Sequence, residues 1–392
     1  MRQLPWARRS LDIQPFHVMA VLARARALEA LGHDVIHMEI GEPDFTTPLP
    51  IVAAGQRALA DGFTGYTPAL GLPALREAVA GLYAQRHGID LDPARVVITP
   101  GGSAALLLIT ALLVEPGQQM LMADPSYPCN SNFLRLVGAH ARRVATGPDT
   151  AYQLNAELIE QNWSSDCAAV LAASPSNPTG SLLDRQQLQA IAETTARLGG
   201  HLVVDEIYHG LTYGGDACSA LEVSDDAFVL NSFSKYFGMT GWRLGWLVAP
   251  EAAVPELEKL AQNLYICAPH MAQVAALAAF TQESLAICEQ RREAFQQRRD
   301  FLLPALRELG FGIPLTPQGA FYLYADTQRL GGDSQALCRH LIEQQHVAVT
   351  PGLDFGEYRA REHVRFAYTA SIPRLEQAVE RLQRGLGTWP SS

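Results

Sequence analysis

One lysine is the first feature of this chain that suggests chemistry. Of the 30 basic residues, only Lys235 and Lys259 are lysines, and the remaining 28 are arginines. An ammonium group can lose its proton and attack a carbonyl, whereas a guanidinium group stays charged in a protein. A position that keeps lysine in so arginine-rich a chain therefore indicates chemistry that arginine cannot perform.

The two lysines have different sequence neighbours. Lys235 lies in NSFSKYFGMTGWRLGW, among apolar, aromatic and hydroxyl side chains, a setting that lowers the pKa of a lysine by desolvation. Lys259 lies in PELEKLAQ beside Glu256 and Glu258, as expected for a solvated lysine on a helix surface. We predict that Lys235 is a nucleophile. The alternative is that it is also an ordinary solvated lysine.

A nucleophilic lysine needs a carbonyl partner, and the commonest aldehyde bound by enzymes is pyridoxal phosphate. The pyridine nitrogen of that cofactor needs a carboxylate, and Asp205, at the end of the apolar run HLVV, is the candidate. The ring oxygen needs hydrogen-bond donors, for which Tyr208 and Asn177 are candidates. The alternatives are an exposed turn acid at Asp205 and a simple turn at SPSNPTG around Asn177.

The phosphate and the ring of such a cofactor also need partners. TPGGSAA joins a predicted strand to an apolar helix, which is the geometry that binds an anion at a helix N-terminus, here through Gly102, Ser103 and Ala104. Tyr127, in DPSYP, is a candidate for stacking on the flat ring. The alternatives are a plain strand-to-helix connection and a tyrosine packed in a loop.

Short apolar runs alternate with helical patterns through the middle of the chain, which is typical of βαβ units and a mostly parallel sheet. We therefore predict a large α/β domain at residues 46–285. Its predicted strands cover residues 96–99, 120–123, 168–172, 202–204, 228–230 and 244–248, and its clearest predicted helices cover residues 73–87 and 184–198.

Residues 1–45 and 286–392 are predicted to form a smaller α+β domain. Helical periodicity at residues 18–31 precedes a strand in VIHMEIGEPDF. CEQRREAFQQRRDFLLPALREL is predicted as a long amphipathic helix, and RLEQAVERLQRGL as the last helix. Three further strands are predicted in GAFYLYAD, VAVTPG and HVRFAYTA.

Composition limits the class of protein. The chain has 392 residues, of which 48% are hydrophobic and 18% charged, as in globular proteins of more than one domain. Its net charge of −10 argues against a nucleic-acid partner. The apolar run at residues 104–114 is shorter than the roughly 20 residues that span a bilayer, and no signal peptide is apparent, so we expect a cytoplasmic protein without a membrane partner. Cysteine and histidine spacings predict no metal site.

Several motifs together resemble the class I/II aminotransferases of the aspartate aminotransferase superfamily, which are fold type I pyridoxal-phosphate enzymes. The motifs are SFSK with an arginine eight residues after the lysine, SPSNPTG, DEIY, GGSAAL, DPSYP, GEPDFTTP and GYTPALGLPALR. The resemblance runs from about residue 12 to residue 385. It implies a large domain with a mostly parallel seven-stranded sheet between helices, a smaller α+β domain, pyridoxal 5'-phosphate as cofactor, and a homodimer with shared active sites.

The same resemblance implies roles for individual residues. Lys235 would carry the internal aldimine and move a proton between substrate and cofactor. Asp205 would pair with the pyridinium, while Tyr208 and Asn177 hold the phenolate oxygen. Ser232, Ser234 and Arg243 would join the amides of Gly102, Ser103 and Ala104 on the phosphate, and Tyr66, in GYTPALG, would reach the phosphate of the neighbouring subunit.

The resemblance also implies a site for the substrate carboxylate. Arg365, in HVRFAYTA, would grip the α-carboxylate with its planar pair of donors, beside Asn177. Gly41 would allow close approach of the backbone to that carboxylate. The alternative for Arg365 is an ordinary strand arginine.

The chain departs from the family pattern at several positions. Asn130 stands where some relatives have a histidine that supports the aspartate. Ser103 stands where some dicarboxylate-specific relatives have a lysine, and residues 263–270, NLYICAPH, have no permanent cation where others have an arginine. We therefore expect an amino donor with a neutral or apolar side chain, and aspartate stays the alternative.

The predicted reaction is transfer of an amino group from an L-amino acid to a 2-oxo acid by a ping-pong mechanism. A carbon–sulfur β-lyase on the same scaffold is an alternative, because residue types do not separate the two reactions. A non-catalytic regulatory domain that binds pyridoxal phosphate is a remote alternative, because only about 45 residues, mostly one helix and a strand, precede the large domain.

Overall fold

The structure is a computed structural model that describes residues 6–215, 217–331 and 333–389. The helices are α1 Arg9–Asp12, α2 His17–Ala30, α3 Leu49–Ala60, α4 Pro73–His87, α5 Gly102–Leu113, α6 Cys129–Leu136, α7 Ala156–Asn162, α8 Arg185–Arg197, α9 Val254–Leu264, α10 His270–Leu277, α11 Gln282–Glu308, α12 Ser334–Gln345 and α13 Ile372–Thr388. The strands are β1 Ile36–His37, β2 Val96–Thr99, β3 Gln119–Asp124, β4 His140–Ala145, β5 Cys167–Ala173, β6 His201–Asp205, β7 Phe228–Ser232, β8 Gly245–Val248, β9 Tyr322–Asp326, β10 Val347–Ala348, β11 Thr350–Pro351 and β12 His363–Ala367.

A seven-stranded sheet lies at the centre of the fold, with strand order β2-β8-β7-β6-β5-β3-β4. Only β8 is antiparallel to its neighbours, and the remaining adjacent pairs are parallel. Strands β2, β7 and β8 are wholly buried, as expected when helices cover both faces of a mostly parallel sheet. The predicted α/β fold with a mostly parallel seven-stranded sheet is confirmed.

The edge strand β4 is the one strand of this sheet that the sequence did not predict. It pairs only with β3, and most of its side chains are partly or fully exposed. This exposed edge strand carries charged residues, here Arg142 and Arg143. It therefore lacks the apolar run that indicates the other strands of the sheet.

Helix ends follow local sequence signals. Helix α4 begins with Pro73, whose missing N–H costs nothing in the first turn, and stops at Gly88, which has a left-handed φ of 67°. Helix α8 begins with a capping box between Asp184 and Gln187. Both helices lie within one residue of their predicted bounds.

Two smaller sheets lie outside the central one. Strands β11, β12 and β9 form an antiparallel sheet, and β1 pairs with β10 in parallel. The amide of Ala367 on β12 donates to Met38 O at 2.8 Å, which ties the residues after β1 to β12. Helix α11 crosses residue 285, and the division into two domains there stays a prediction.

Within the described residues, no single helix is both long and apolar enough to cross a membrane. The pair 270–280 and 282–308 meets the length and hydropathy requirement only jointly, and it bends by 80° between its two parts.

Candidate active site

A cavity of about 340 Å³ opens where several strands of the central sheet end. Strand β6 ends at Asp205, β7 ends at Ser232, and α5 begins at Gly102, so three turns meet at the carboxyl edge where open α/β sheets bind ligands. Eleven of the fourteen predicted site residues line the cavity: Gly41, Gly102, Ser103, Tyr127, Asn177, Asp205, Tyr208, Ser234, Lys235, Arg243 and Arg365.

Lys235 lines the cavity, three residues after the end of β7. Its Nζ donates a hydrogen bond to Gly41 O at 2.6 Å. Burial lowers the pKa of Lys235 to about 8, and the negative charge of Glu42 opposes part of that shift. The amine therefore lies closer to its neutral, nucleophilic form at physiological pH than a solvated lysine does.

Asp205 forms the acidic wall of the cavity. The side chain is buried, its Oδ1 accepts a hydrogen bond from Ile207 N at 3.0 Å, and burial raises its pKa to about 6. Tyr208, three residues later, is also buried, and its hydroxyl lies 2.8 Å from the hydroxyl of Tyr322. Burial raises the pKa of Tyr208, so the phenol stays protonated and able to donate.

The N-terminus of α5 and Arg243 form a cationic corner. The first amides of a helix have no acceptor within the helix, so those of Gly102 and Ser103 are available to a ligand. Arg243 has a left-handed φ of 52°, and a Cβ added to Gly101 would lie 2.6 Å from its Nη2. The guanidinium therefore lies directly over the glycine turn, in space that only glycine leaves open.

Three predicted site residues do not line the cavity. Ser232 lies behind Ser234, with its Oγ 2.8 Å from Ser234 Oγ and 3.1 Å from Ser234 N. Ala104 lies in the first turn of α5, away from the cavity wall. Tyr66 is 81% exposed on the surface of the chain, and its contact with a neighbouring subunit stays a prediction.

Arg365 lies at the other end of the cavity, on β12. It is only 4% exposed, its Nη1 donates to Asn177 Oδ1 at 2.9 Å, and its Nη2 donates to Glu39 O at 2.6 Å. The rings of Tyr322 and Phe355 lie 4.3 Å and 4.6 Å from the guanidinium carbon. Two hydrogen-bond partners and two rings therefore fix the orientation of the guanidinium in the cavity.

Several lining residues have no counterpart in the sequence analysis. Asp354 accepts hydrogen bonds from the amides of His17 and Val18 at 2.8 Å and 3.3 Å, which holds the start of α2 beside the cavity. Tyr322 lies in a predicted strand, but strand alternation alone does not say which side chain faces a ligand. The lining residues that sequence reasoning missed include Phe16, Val18, Met19, Ile40, Tyr322, Asp354 and Phe355.

Comparison with known proteins decides the family. The sequence model described as aminotransferase class I and II matches residues 33–382. The chain belongs to the class I and II aminotransferases. It is 37% identical over 379 residues to the valine–pyruvate aminotransferase of Mycobacterium tuberculosis, covering 96% of each chain.

Solved structures of aminotransferases agree with this assignment. A crystal structure of an aminotransferase from Mycobacterium tuberculosis matches with a TM-score of 0.94 and 36% identity, over 98% of this chain and all of that one (100%). The aspartate aminotransferase from Thermus thermophilus with maleate matches with a TM-score of 0.92 and 33% identity, over 98% of this chain and 100% of the other.

Membership in the aminotransferase family confirms the predicted enzyme class. The protein is a pyridoxal-phosphate-dependent transaminase that acts on amino acids and 2-oxo acids, and the comparisons favour amino-group transfer over the β-lyase alternative.

The residues of the cavity fit this cofactor. The cavity holds an amine with a lowered pKa, a buried carboxylate, a tyrosine ring, and an arginine over a helix N-terminus. These are the partners that an aldehyde, a pyridine nitrogen, a flat ring and a phosphate require.

Proposed function

We propose that Lys235 binds the cofactor aldehyde and then moves the substrate α-proton. The observation that carries this proposal is an amine of lowered pKa, 2.6 Å from Gly41 O, in one cavity with Asp205 and Arg365. When bound, pyridoxal phosphate supplies an aldehyde that captures amino groups and a ring that withdraws electrons from the substrate α-carbon. Once the substrate has displaced it, the free amine of Lys235 takes the proton from the substrate α-carbon and delivers it to the cofactor carbon that carried the aldehyde oxygen.

The other residues of the cavity hold the cofactor in this proposal. Asp205, as a carboxylate, keeps the pyridine nitrogen protonated, and Tyr208 and Asn177 Nδ2 donate to the ring oxygen. Tyr127 stacks on the ring.

The phosphate is held at the cationic corner. The amides of residues 102–104, the Ser234 hydroxyl and Arg243 bind it, while Ser232 positions Ser234 through the 2.8 Å contact between their hydroxyls.

Arg365 is proposed to bind the α-carboxylate of both substrates. Asn177 holds one arm of the guanidinium, so the Nη1–Asn177 contact of 2.9 Å positions the donor instead of competing with the ligand. Gly41 lies against the hydroxyl of Tyr322, and a Cβ at position 41 would collide with that oxygen. Only glycine therefore lets the backbone come this close to the proposed carboxylate site.

The amino donor is proposed to have a neutral or apolar side chain. Among the described residues, the cations lining the cavity are Lys235, Arg243 and Arg365, and each has a role with the cofactor or the α-carboxylate. No lining cation of this chain is left for a second carboxylate, and Asp354 adds negative charge to the same wall. Apolar residues that also line the cavity are Phe16, Val18, Met19, Ile40 and Phe355.

The reaction proposed is therefore two half-reactions in turn, with one amino acid leaving as its 2-oxo acid before a second 2-oxo acid enters. The names of the relatives include both valine–pyruvate and aspartate aminotransferases, and the cation count favours the first kind of donor. We place this activity in amino acid metabolism.

The enzyme is proposed to act as a homodimer in the cytoplasm. Tyr66, Phe63, Leu264 and Ile266 are large exposed hydrophobic residues, and His270 Nδ1 lies 3.1 Å from Gly65 O, which brings their two segments together. A second copy would cover this apolar surface, and Tyr66 would then reach the phosphate in the partner's cavity.

The two lysines provide the experiment and its control. Lys235→Ala is expected to lower transaminase turnover by at least about a thousandfold, because both covalent attachment and proton transfer are lost. Lys259→Ala removes an exposed lysine paired with Glu256 and is expected to leave turnover unchanged. Borohydride reduction followed by mass spectrometry would locate the cofactor on the wild-type chain, and its attachment elsewhere than Lys235 would refute the proposal.

The donor is tested separately with a panel of L-amino acids, using 2-oxoglutarate and pyruvate as acceptors. Valine, alanine or aromatic amino acids are expected to be better donors than aspartate. Exclusive activity with aspartate would overturn the donor class while leaving the role of Lys235 intact.

A further inference from the structure

The segment that contacts Arg365 also carries a buried carboxylate that the proposed reaction does not use. The side chain of Glu39 is fully buried (0% exposed), and its Oε1 lies 2.7 Å from His37 Nδ1. Its Oε2 is buried with no hydrogen-bond partner among the described residues. The backbone carbonyl of the same residue accepts from Arg365 Nη2 at 2.6 Å and from Thr350 Oγ1 at 2.9 Å.

His37 supplies the countercharge for this carboxylate. Its other nitrogen, Nε2, lies 3.1 Å from Glu29 Oε1 on α2, so the imidazole bridges two carboxylates. The hydrogen bond to Glu39 is the main reason why the pKa of His37 rises to about 9. Strand β10, which pairs with β1, presents the uncharged residues Val347 and Ala348. This shift favours the protonated, cationic form of His37 at neutral pH, and His37 is the only ion-pair partner of the Glu39 carboxylate among the described residues.

The backbone around this pair has little freedom. Met38 N donates to Ala348 O at 2.9 Å, and Met38 O accepts from Ala367 N at 2.8 Å, so β10 and β12 hold the segment on both sides. A buried carboxylate that loses its cation is strongly unfavourable. Glu39 would then have to move or take up a proton. The ladders hold Met38, whereas within the described part of the chain only the side chains of Thr350 and Arg365 hold the Glu39 carbonyl, so we expect a movement of Glu39 to shift that carbonyl and with it Arg365.

We propose that His37 and Glu39 form a positioning pair for the substrate carboxylate. The pair fixes the Glu39 carbonyl, the carbonyl fixes one arm of Arg365, and Arg365 binds the carboxylate. This inference rests on the proposed role of Arg365. Neither residue touches the substrate, so their effect is on binding and not on the chemical step.

The test uses the cofactor-loaded enzyme and propionate, an unreactive monocarboxylate, as the probe. Glu39→Gln and His37→Gln are each expected to raise the inhibition constant of propionate and the KM of both substrates about tenfold, with kcat changed less than about twofold. The double variant is expected to lose no more than either single variant, because the two residues act as a unit.

Glu29→Gln is the matched control, since it removes the exposed carboxylate on the opposite nitrogen of the same imidazole. Its expected effect on the propionate constant is less than about twofold. Above about pH 9 the wild-type constant is expected to rise as His37 loses its proton, whereas the constant of His37→Gln has no such inflection. Calorimetric binding of propionate gives a readout that does not depend on turnover.

Two results would overturn the positioning role. One is a Glu39→Gln variant that melts at a lower temperature while its propionate constant stays at the wild-type value, which would make the pair purely structural. The other is additive losses in the double variant. Arg365→Ala separates the two proposals: if that variant still binds propionate normally, the role of Arg365 fails first, whatever Glu39 does.

Discussion

Asp205 and Glu206 are adjacent acids with the same cause of pKa shift and different surroundings. Asp205 lines the cavity, and burial raises its pKa to about 6. Glu206 is fully buried away from the cavity, where its Oε1 accepts from Ala220 N at 2.7 Å and the Ser219 hydroxyl lies 3.0 Å from both carboxylate oxygens. Burial raises its pKa to about 8. A perturbed pKa therefore does not by itself mark a catalytic group, and access to a ligand separates the two acids.

Among the variants of these two acids and of the tyrosines, the largest effect should come from Asp205→Asn. The amide cannot hold a proton on the pyridine nitrogen by charge, so kcat/KM is expected to fall about 10²–10³-fold while the protein stays folded. Steady-state kinetics at saturating cofactor would measure this loss. Glu206→Gln in the same assay should stay within about threefold of wild type, and equal losses in both variants would erase the distinction between the two acids.

Glu206→Gln should instead change stability with pH. The folded protein keeps this proton up to about pH 8, whereas the unfolded chain releases it near the ordinary pKa of 4.5. The wild type therefore loses stability as pH rises between those values, and glutamine has no such loss. Denaturant unfolding is expected to show Glu206→Gln gaining about 4 kcal/mol on wild type between pH 5 and pH 9. A pH-independent difference would mean that Glu206 stays charged.

Cofactor affinity should depend on the ionisation of Asp205. As pH falls through about 6, the carboxyl gains a proton and loses its attraction for the pyridinium. The dissociation constant of pyridoxal phosphate is expected to rise by up to about tenfold per pH unit below that value. Fluorescence titration at several pH values would follow it, and Asp205→Asn should give a flat profile over the same range.

A smaller effect is expected for Tyr208→Phe. Removing the hydroxyl that lies 2.8 Å from Tyr322 deletes one donor near the ring oxygen, so kcat/KM should fall about tenfold. Tyr236→Phe is the control, since its hydroxyl donates to Glu289 at 2.5 Å outside the cavity. Similar kinetic losses in both tyrosine variants would argue that Tyr208 acts through packing.

The central sheet could be predicted from sequence because its strands are buried on both faces and so appear as apolar runs between helices. β4 was missed because an edge strand needs apolar residues on one side only. At β1 the difference is one of length: the residues before the predicted turn at Gly41 were expected to form a strand, and only Ile36 and His37 form ladder.

Residues of the candidate site were predictable where chemistry restricts the residue type. Asp205 ends strand β6 and Lys235 comes three residues after β7. Few residue types can serve as a nucleophilic amine or as a buried carboxylate, so residue type and spacing were enough to select both as candidates. Phe355 packs its ring against the Arg365 guanidinium, and Asp354 accepts a hydrogen bond from the first amide of α2. Neither contact has a recognisable pattern in the sequence. Ser232 shows a further limit, because the motif does not reveal that Ser232 contacts Ser234 instead of lining the cavity itself.

Residues 39–41 carry two carbonyls that hold the two ends of the cavity. Glu39 O accepts from Arg365, and Gly41 O accepts from Lys235 at 2.6 Å, so one short piece of backbone serves both the group that binds and the group that reacts. In the proposed roles, an anion at Arg365 and a proton on Lys235 attract each other across the same cavity, and such linkage is reciprocal. An anionic ligand at Arg365 raises the proton affinity of Lys235, and a protonated Lys235 strengthens binding of that anion by the same factor. In the proposed reaction, a carboxylate held at Arg365 would therefore make Lys235 a stronger proton acceptor once the substrate has displaced it from the cofactor.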